Sequence, residues 1–152
     1  MAEQRQAADA VPTRIGQAVM LLHAGDREEA RNRLGALWAE IGETGDPLHR
    51  CTLAHYLADA QDDPGDELAW DLRALTALAA DGCAGRLSPA ARAFRPTLHL
   101  DLAADYLKLH RPDVARLHLA RAQAAADALG AAGYGPGVRA GLDRLGRLLG
   151  EG

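Results

Sequence analysis

His55 and Asp59 lie four residues apart in the segment HRCTLAHYLAD, and both have side chains that could do chemistry. Residues four apart share one face of a helix, so the carboxylate could orient and charge the imidazole as a general base. With His99 or Asp105 from a neighbouring helix, the same pair could hold a metal ion. A pair of this kind is more often a structural hydrogen bond, and the sequence alone favours that interpretation. A small helical enzyme, or a protein that binds a metal or ligand, is the alternative.

Three other motifs are interpreted as structural. The carboxylates of DDPGD, residues 62–66, flank a helix break, so they are predicted to cap the next helix rather than bind magnesium. Residues 133–137 are glycine-rich but lack the lysine and hydroxyl residue of a phosphate-binding loop, so they are predicted to be a connector. Cys51 and Cys83 form no Cys-x-x-Cys motif, which argues against a zinc site or a redox pair. No cofactor is predicted.

The composition predicts that the elements positioning these residues are helices. Alanine and leucine abound, whereas aromatic residues make up only 4% and β-branched residues are few. Small and unbranched side chains lose little freedom in a helix, while β-branched and aromatic ones favour strands. A chain of 152 residues, 48% of them hydrophobic, can bury the core of one domain. The expected fold class is all-α.

Charge and hydropathy argue against two kinds of partner. The net charge is −4, so the chain has no global basic field that would attract nucleic acid. No apolar run approaches the ~20 residues of a membrane-spanning helix, and the first residues lack the apolar core of a signal peptide. The expectation is a soluble, cytoplasmic protein.

Helix start and stop signals divide the chain into three helix pairs. The breaks within the pairs are predicted at residues 25–26, 62–65 and 110–112. Helix starts are predicted where a capping side chain precedes a proline, at Asp46-Pro47, Asp63-Pro64 and Ser88-Pro89.

Further boundaries follow from single residues. Asp26 is predicted to cap the second helix, with Glu29 completing a capping box. Pro96 is predicted to kink or restart its helix. Residues 1–12 are interpreted as a frayed N-terminal arm and residues 13–150 as the helical domain. The last amphipathic segment is predicted to cap the open end of the stack.

The repeated pairs resemble tetratricopeptide repeats. In the third pair, the residues that match the family's first helix are Leu102, Ala103 and Tyr106. Those that match its second helix are Ala115, Leu119 and Ala122. The first pair matches at Gly25-Asp26, Ala30, Leu34 and Leu37. The phrases HRCTLAHYLAD and LHLDLAADYLKL also resemble small repeat proteins of actinobacteria. The resemblance implies a right-handed α-α superhelix, a solenoid of about three helix pairs plus a C-terminal capping helix.

The same resemblance implies a binding groove, because in that family the first helices of successive repeats line a concave surface. The positions that align with it are Ile15, Val19, Leu22, His23, Cys51, His55, Asp59, Leu100, Ala104, Leu107 and Lys108. A groove with apolar anchors and a few polar groups suits an amphipathic helix or an extended peptide. The basic, Asn-rich clamp that some members use for acidic carboxyl-terminal peptides is missing.

The sequence therefore favours a non-enzymatic scaffold that binds a protein or peptide in this groove. The runner-up is the chemistry or metal site at His55, Asp59, His99 and Asp105. Self-association through apolar edges of the stack is a third alternative.

Overall fold

The computed structural model describes residues 2–82, 86–130 and 135–150, with side chains from residue 10 onward. Within these ranges the chain forms seven α-helices and no strand, which confirms the all-α class. The helices are α1 (Ala2–His23), α2 (Arg27–Ile41), α3 (Pro47–Asp59), α4 (Pro64–Ala80), α5 (Pro89–Lys108), α6 (Pro112–Leu129) and α7 (Pro136–Gly150). None of these helices is long and apolar enough to cross a membrane.

The three predicted cap-and-proline starts are confirmed. Asp46 accepts hydrogen bonds from the backbone amides of Leu48 and His49 and begins α3. Asp63 caps α4 and Ser88 caps α5 in the same way, each through the amide three residues later. Every one of these helices has proline at its first position, where no intrahelical hydrogen bond is lost.

The predicted capping box at the start of α2 is wrong. Asp26 occupies the cap position but its side chain makes no capping hydrogen bond. Glu29 instead pairs with Arg33 at 2.8 Å, one turn further along the helix. An i,i+4 ion pair on the helix surface competes for the carboxylate that the capping box requires.

Two prolines lie inside helices that continue through them. Pro96 does not restart α5, and Pro12 lies within α1. The predicted boundary between an arm and a domain at residues 12 and 13 therefore falls inside α1, and Val11 is buried in the core. A proline inside a helix costs one hydrogen bond, and burial of the surrounding apolar side chains offsets that cost.

The helices pack in chain order. The largest contacts join α5 to α6 and α3 to α4, and smaller contacts of equal extent join α1 to α2 and α4 to α5. The contacts α2–α3 and α6–α7 are smaller again, and α1 also touches α3 and α5 touches α7. Each described helix thus packs against the next one along the chain.

The core consists of consecutive apolar clusters, and aromatic residues join two of them. Trp38 of α2 and Trp70 of α4 contact edge to face, with ring centroids 5.2 Å apart, and both pack against the clusters on either side. At the other end, α7 buries Leu142, Leu145 and Leu149. A methyl group at Gly141 would come within 3.0 Å of a Leu100 methyl, so glycine allows α7 to lie close on α5.

The caps provide a matched test of this local account. We expect Asp46→Ala to lower the free energy of unfolding by about 1 kcal/mol, because two amides lose their acceptor. Asp26→Ala removes a similar charge at a helix start but no hydrogen bond, and is expected to cost less than half as much. Urea unfolding monitored by circular dichroism measures both. Equal losses would contradict the assignment.

Candidate metal centre between three helices

The most concentrated group of ionisable side chains lies where α3, α4 and α5 meet. Each helix contributes two polar residues one turn apart, a spacing that places both on the same helix face. The pairs are His55 and Asp59 on α3, Glu67 and Asp71 on α4, and Asp101 and Asp105 on α5. These six residues are called the acidic cluster below.

His55 and Asp101 form an ion pair between α3 and α5. His55 Nδ1 lies 3.0 Å from Asp101 Oδ2, yet neither atom has a hydrogen bond of good geometry within the described chain. The imidazole is held between Tyr56 and Phe94, whose rings meet it edge to face. Burial alone would lower the pKa of His55, but Asp101, with help from the charge of Asp59, outweighs burial and raises it. The pair therefore favours a charged imidazolium.

Asp71 and Asp105 form a buried carboxyl pair between α4 and α5. Each residue is only 2% exposed. Burial, more than any other cause, raises the pKa of both carboxyl groups, and for Asp71 the hydrogen bond and the charge of Asp105 raise it further. Two ionised carboxylates cannot form a hydrogen bond with each other, because neither has a proton to donate. We therefore expect one carboxyl group of the pair to keep its proton at neutral pH and to donate it to the other in a hydrogen bond.

The rim of the cluster is in contact with solvent. Lys108 Nζ lies 2.8 Å from Glu67 Oε1 and links α5 to α4. This hydrogen bond, more than any other cause, raises the pKa of Lys108. The Asp101 side chain is 32% exposed, and Asp59 faces solvent at the last turn of α3. An ion can therefore approach the buried carboxyls from the side of Asp101.

Three of these residues could coordinate one metal ion. His55, Asp71 and Asp101 each offer one ligand atom, and those atoms lie within 4.8 Å of one another. Two ligands on opposite sides of a cation at about 2.1 Å are about 4.2 Å apart, so small side-chain rotations close the site. Asp105 would then orient Asp71 by hydrogen bonding, as residues next to metal ligands commonly do.

The structure brings together only part of the set that the sequence singled out. His55, Asp59 and Asp105 belong to the cluster, but His99 does not. Its Nδ1 lies 3.1 Å from Nδ1 of His118 on α6, and the two rings stack. His99 lies two positions before Asp101, and two positions on a helix differ by about 200° in direction. The expectation that His99 assists His55 is wrong for this reason.

Sequence reasoning missed two of the three candidate ligands, Asp71 and Asp101. The signal was present, since Glu67 and Asp71 on α4 repeat the one-turn spacing of His55 and Asp59. The resemblance to a repeat family drew attention to first helices, and α4 is a second helix. Only the packing of α4 against α5 shows that Asp71 faces Asp105.

Four of the predicted groove residues are buried between helices. Ile15, Leu22, Cys51 and Leu100 are buried in four separate parts of the core, although Ile15 and Leu100 also line surface cavities. The prediction assigned every aligned position of the first helices to the groove surface. The buried side chains among them pack against neighbouring helices instead of lying mainly on the surface. The remaining seven keep some exposure: Val19, His23, His55, Asp59, Ala104, Leu107 and Lys108.

Cys51 offers no additional ligand. Burial raises the pKa of its thiol to about 12, with a further contribution from the charge of Asp81. Cys83 and residues 133–134 of the predicted connector lie outside the described residues, whereas Pro136 and Gly137 of that connector belong to α7.

Comparison of the chain with protein-family models, with characterised proteins and with solved structures finds no match. Any functional proposal must therefore start from the side chains and their geometry.

The buried carboxyl pair predicts a specific dependence of stability on pH. Both pKa values are raised on folding, so the native state holds more protons than the unfolded chain, whose aspartates titrate near 3.9. The stabilisation is fully present below the unfolded pKa and falls as pH rises. Asp71→Asn removes a carboxyl group that must either keep its proton or be buried as an anion. Relative to wild type, the variant is expected to gain more than about 1 kcal/mol between pH 4.5 and pH 8.

Urea unfolding with a chelator present, at several pH values, measures this gain. The exposed Asp143→Asn serves as the control and should show no pH-dependent difference from wild type. A difference between Asp71→Asn and wild type that stays constant over this pH range would contradict a shared proton.

Proposed function

We propose that the protein binds a divalent transition-metal ion through His55, Asp71 and Asp101. The observation that carries the proposal is a pair of buried carboxyl groups directly beside an imidazole and a third carboxylate. Buried carboxyl groups cost stability unless a proton or a cation compensates them. Side chains of this kind in an otherwise apolar contact are typical of functional sites.

The charges of the cluster suit a divalent ion. With Asp71 protonated, four carboxylates of the cluster remain ionised, and only His55 and Lys108 oppose them. In the metal-free protein, four negative charges less two positive charges leave a net charge of two negative charges. A divalent cation that displaces the protons of Asp71 and His55 leaves this net charge unchanged. The ligand set narrows the class of metal, because imidazole favours zinc, iron and nickel, whereas calcium and magnesium prefer oxygen ligands alone.

Metal binding at this site must release protons. Asp71 coordinates only after it loses the proton shared with Asp105, and His55 coordinates only as a neutral imidazole. The apparent affinity is therefore expected to rise with pH. A structural hydrogen-bond network with no metal would show no such coupling.

Calorimetric titration of the untagged protein with Zn²⁺ and with Ni²⁺ tests the proposal. We expect one ion per chain, with proton release that differs between buffers of different ionisation enthalpy. Asp101→Asn, in the partly exposed ligand, is expected to weaken binding about tenfold or more. Asp71→Asn should weaken binding and also reduce the number of protons released.

The matched control is Asp143→Asn on α7, which should bind as wild type does. Two results would overturn the metal site: no stoichiometric binding of either ion to folded wild type, or binding that Asp101→Asn and Asp71→Asn leave unchanged.

Binding of a partner protein is a second candidate function, and one observation favours it. A cavity of about 380 Å³ lies between α1 and α3 and is lined by Val19, Leu48 and Tyr56, all of them half-buried. Met20 of α1 is largely exposed. In the tetratricopeptide-like superhelix that we also propose, first helices would form one face, and the α1–α3 contact supports this arrangement. An amphipathic helix of a partner would suit such a cleft.

A pull-down from native lysate under reducing conditions, which suit a cytoplasmic protein, checks this second candidate. Val19→Glu places a charge in the cleft and should abolish retention of any partner. Gln17→Glu adds the same charge on an exposed position of α1 and should leave retention intact. A partner retained equally by both variants would exclude the cleft as its binding site.

A further inference from the structure

A second cavity is lined by residues of α4, α5 and α6 and lies outside the acidic cluster. Its volume is about 430 Å³, within the range of small-molecule sites. Its apolar wall comes mainly from α4 and from the segment before α5: Leu75, Leu78, Ala79 and Leu87. None of its lining residues belongs to the acidic cluster.

Three arginines from different parts of the chain line this cavity. Arg86 precedes α5, Arg95 lies on α5 and Arg121 lies on α6. No carboxylate lines the cavity, and none of the three makes a hydrogen bond or an ion pair with a described residue. Some arginines elsewhere in the described chain pair with acids, as Arg14 pairs with Glu40 at 2.9 Å. Positive charge is thus concentrated here in a chain whose net charge is −4.

A buried histidine lies beside these arginines. His99 is 3% exposed and lines the cavity beside the arginines. Burial lowers the pKa of His99 to about 4, with further contributions from His118 and from the charges of Arg95 and Arg121. Burial lowers the pKa of His118 as well, again with a contribution from Arg121.

We propose that this cavity binds a small amphiphilic anion, with a carboxylate or phosphate monoester head group and an apolar body. Arginine presents a planar fork of N–H donors that matches both head groups in bidentate fashion. Arg95 and Arg121 would hold the head group, and the leucines would cover the apolar body. The size of the cavity and its apolar wall suit a small molecule rather than a macromolecule, which needs a broader surface.

Calorimetric titration of the full chain with octanoate and with octyl phosphate tests this site. We expect at least one of them to bind with one molecule per chain, and comparison of the two identifies the head group. Octanol lacks the charge and inorganic phosphate lacks the apolar body, so each is expected to bind at least about tenfold more weakly.

The variant for this test is the double substitution Arg95→Gln and Arg121→Gln. Both side chains are exposed, so folding should persist, and circular dichroism verifies it. Binding is expected to weaken at least about tenfold, because charged hydrogen bonds are lost. Arg92→Gln, on the same helix but outside the cavity lining, is the matched control and should bind as wild type does.

The proposal is overturned if neither octanoate nor octyl phosphate binds, or if the double variant binds them as wild type does. It is also overturned if octanol binds as tightly as the anions, or phosphate as tightly as octyl phosphate.

Discussion

The contact between α4 and α5 buries two carboxyl groups that water scarcely reaches, those of Asp71 and Asp105. In a buried position they cannot both remain ionised, so a proton or a cation must lie between them. An apolar pair of the same size would hold the helices together at least as well. The carboxyl pair therefore makes the fold less stable than an apolar pair of the same size would. This cost in stability is the physical reason to assign the contact a function.

Helix α5 separates two sites of opposite charge. One face directs Asp101 and Asp105 toward α3 and α4, where negative charge collects around His55. Another face directs Arg95 and His99 toward α4 and α6, where positive charge collects around an apolar cavity. Charges of opposite sign on one helix would neutralise each other if they met. The helix keeps them apart, so each site retains the potential needed to attract its own ion.

The parts of this structure that could be predicted are those that local sequence determines. Asp46 begins a helix because a carboxylate and a following proline act within one turn. Pro96 does not restart α5, because the burial that offsets its missing hydrogen bond comes from distant residues. In the cluster, i,i+4 spacing is local, but whether His99 or Asp101 faces α3 depends on how α5 rotates against its neighbours. Asp71 could not be chosen without knowing that α4 and α5 meet along this line.

The central claim is that the native core holds a proton between two aspartates that metal binding would displace. Carboxyl ¹³C NMR of the metal-free protein, with chemical shifts followed from pH 3 to pH 9 and assigned through Asp71→Asn, measures this directly. We predict that the Asp71 carboxyl carbon keeps the chemical shift of a protonated acid at pH 7, and that Asp105 titrates above its ordinary range. Two carboxyl groups that both ionise near the ordinary value of about 3.9 would contradict the claim.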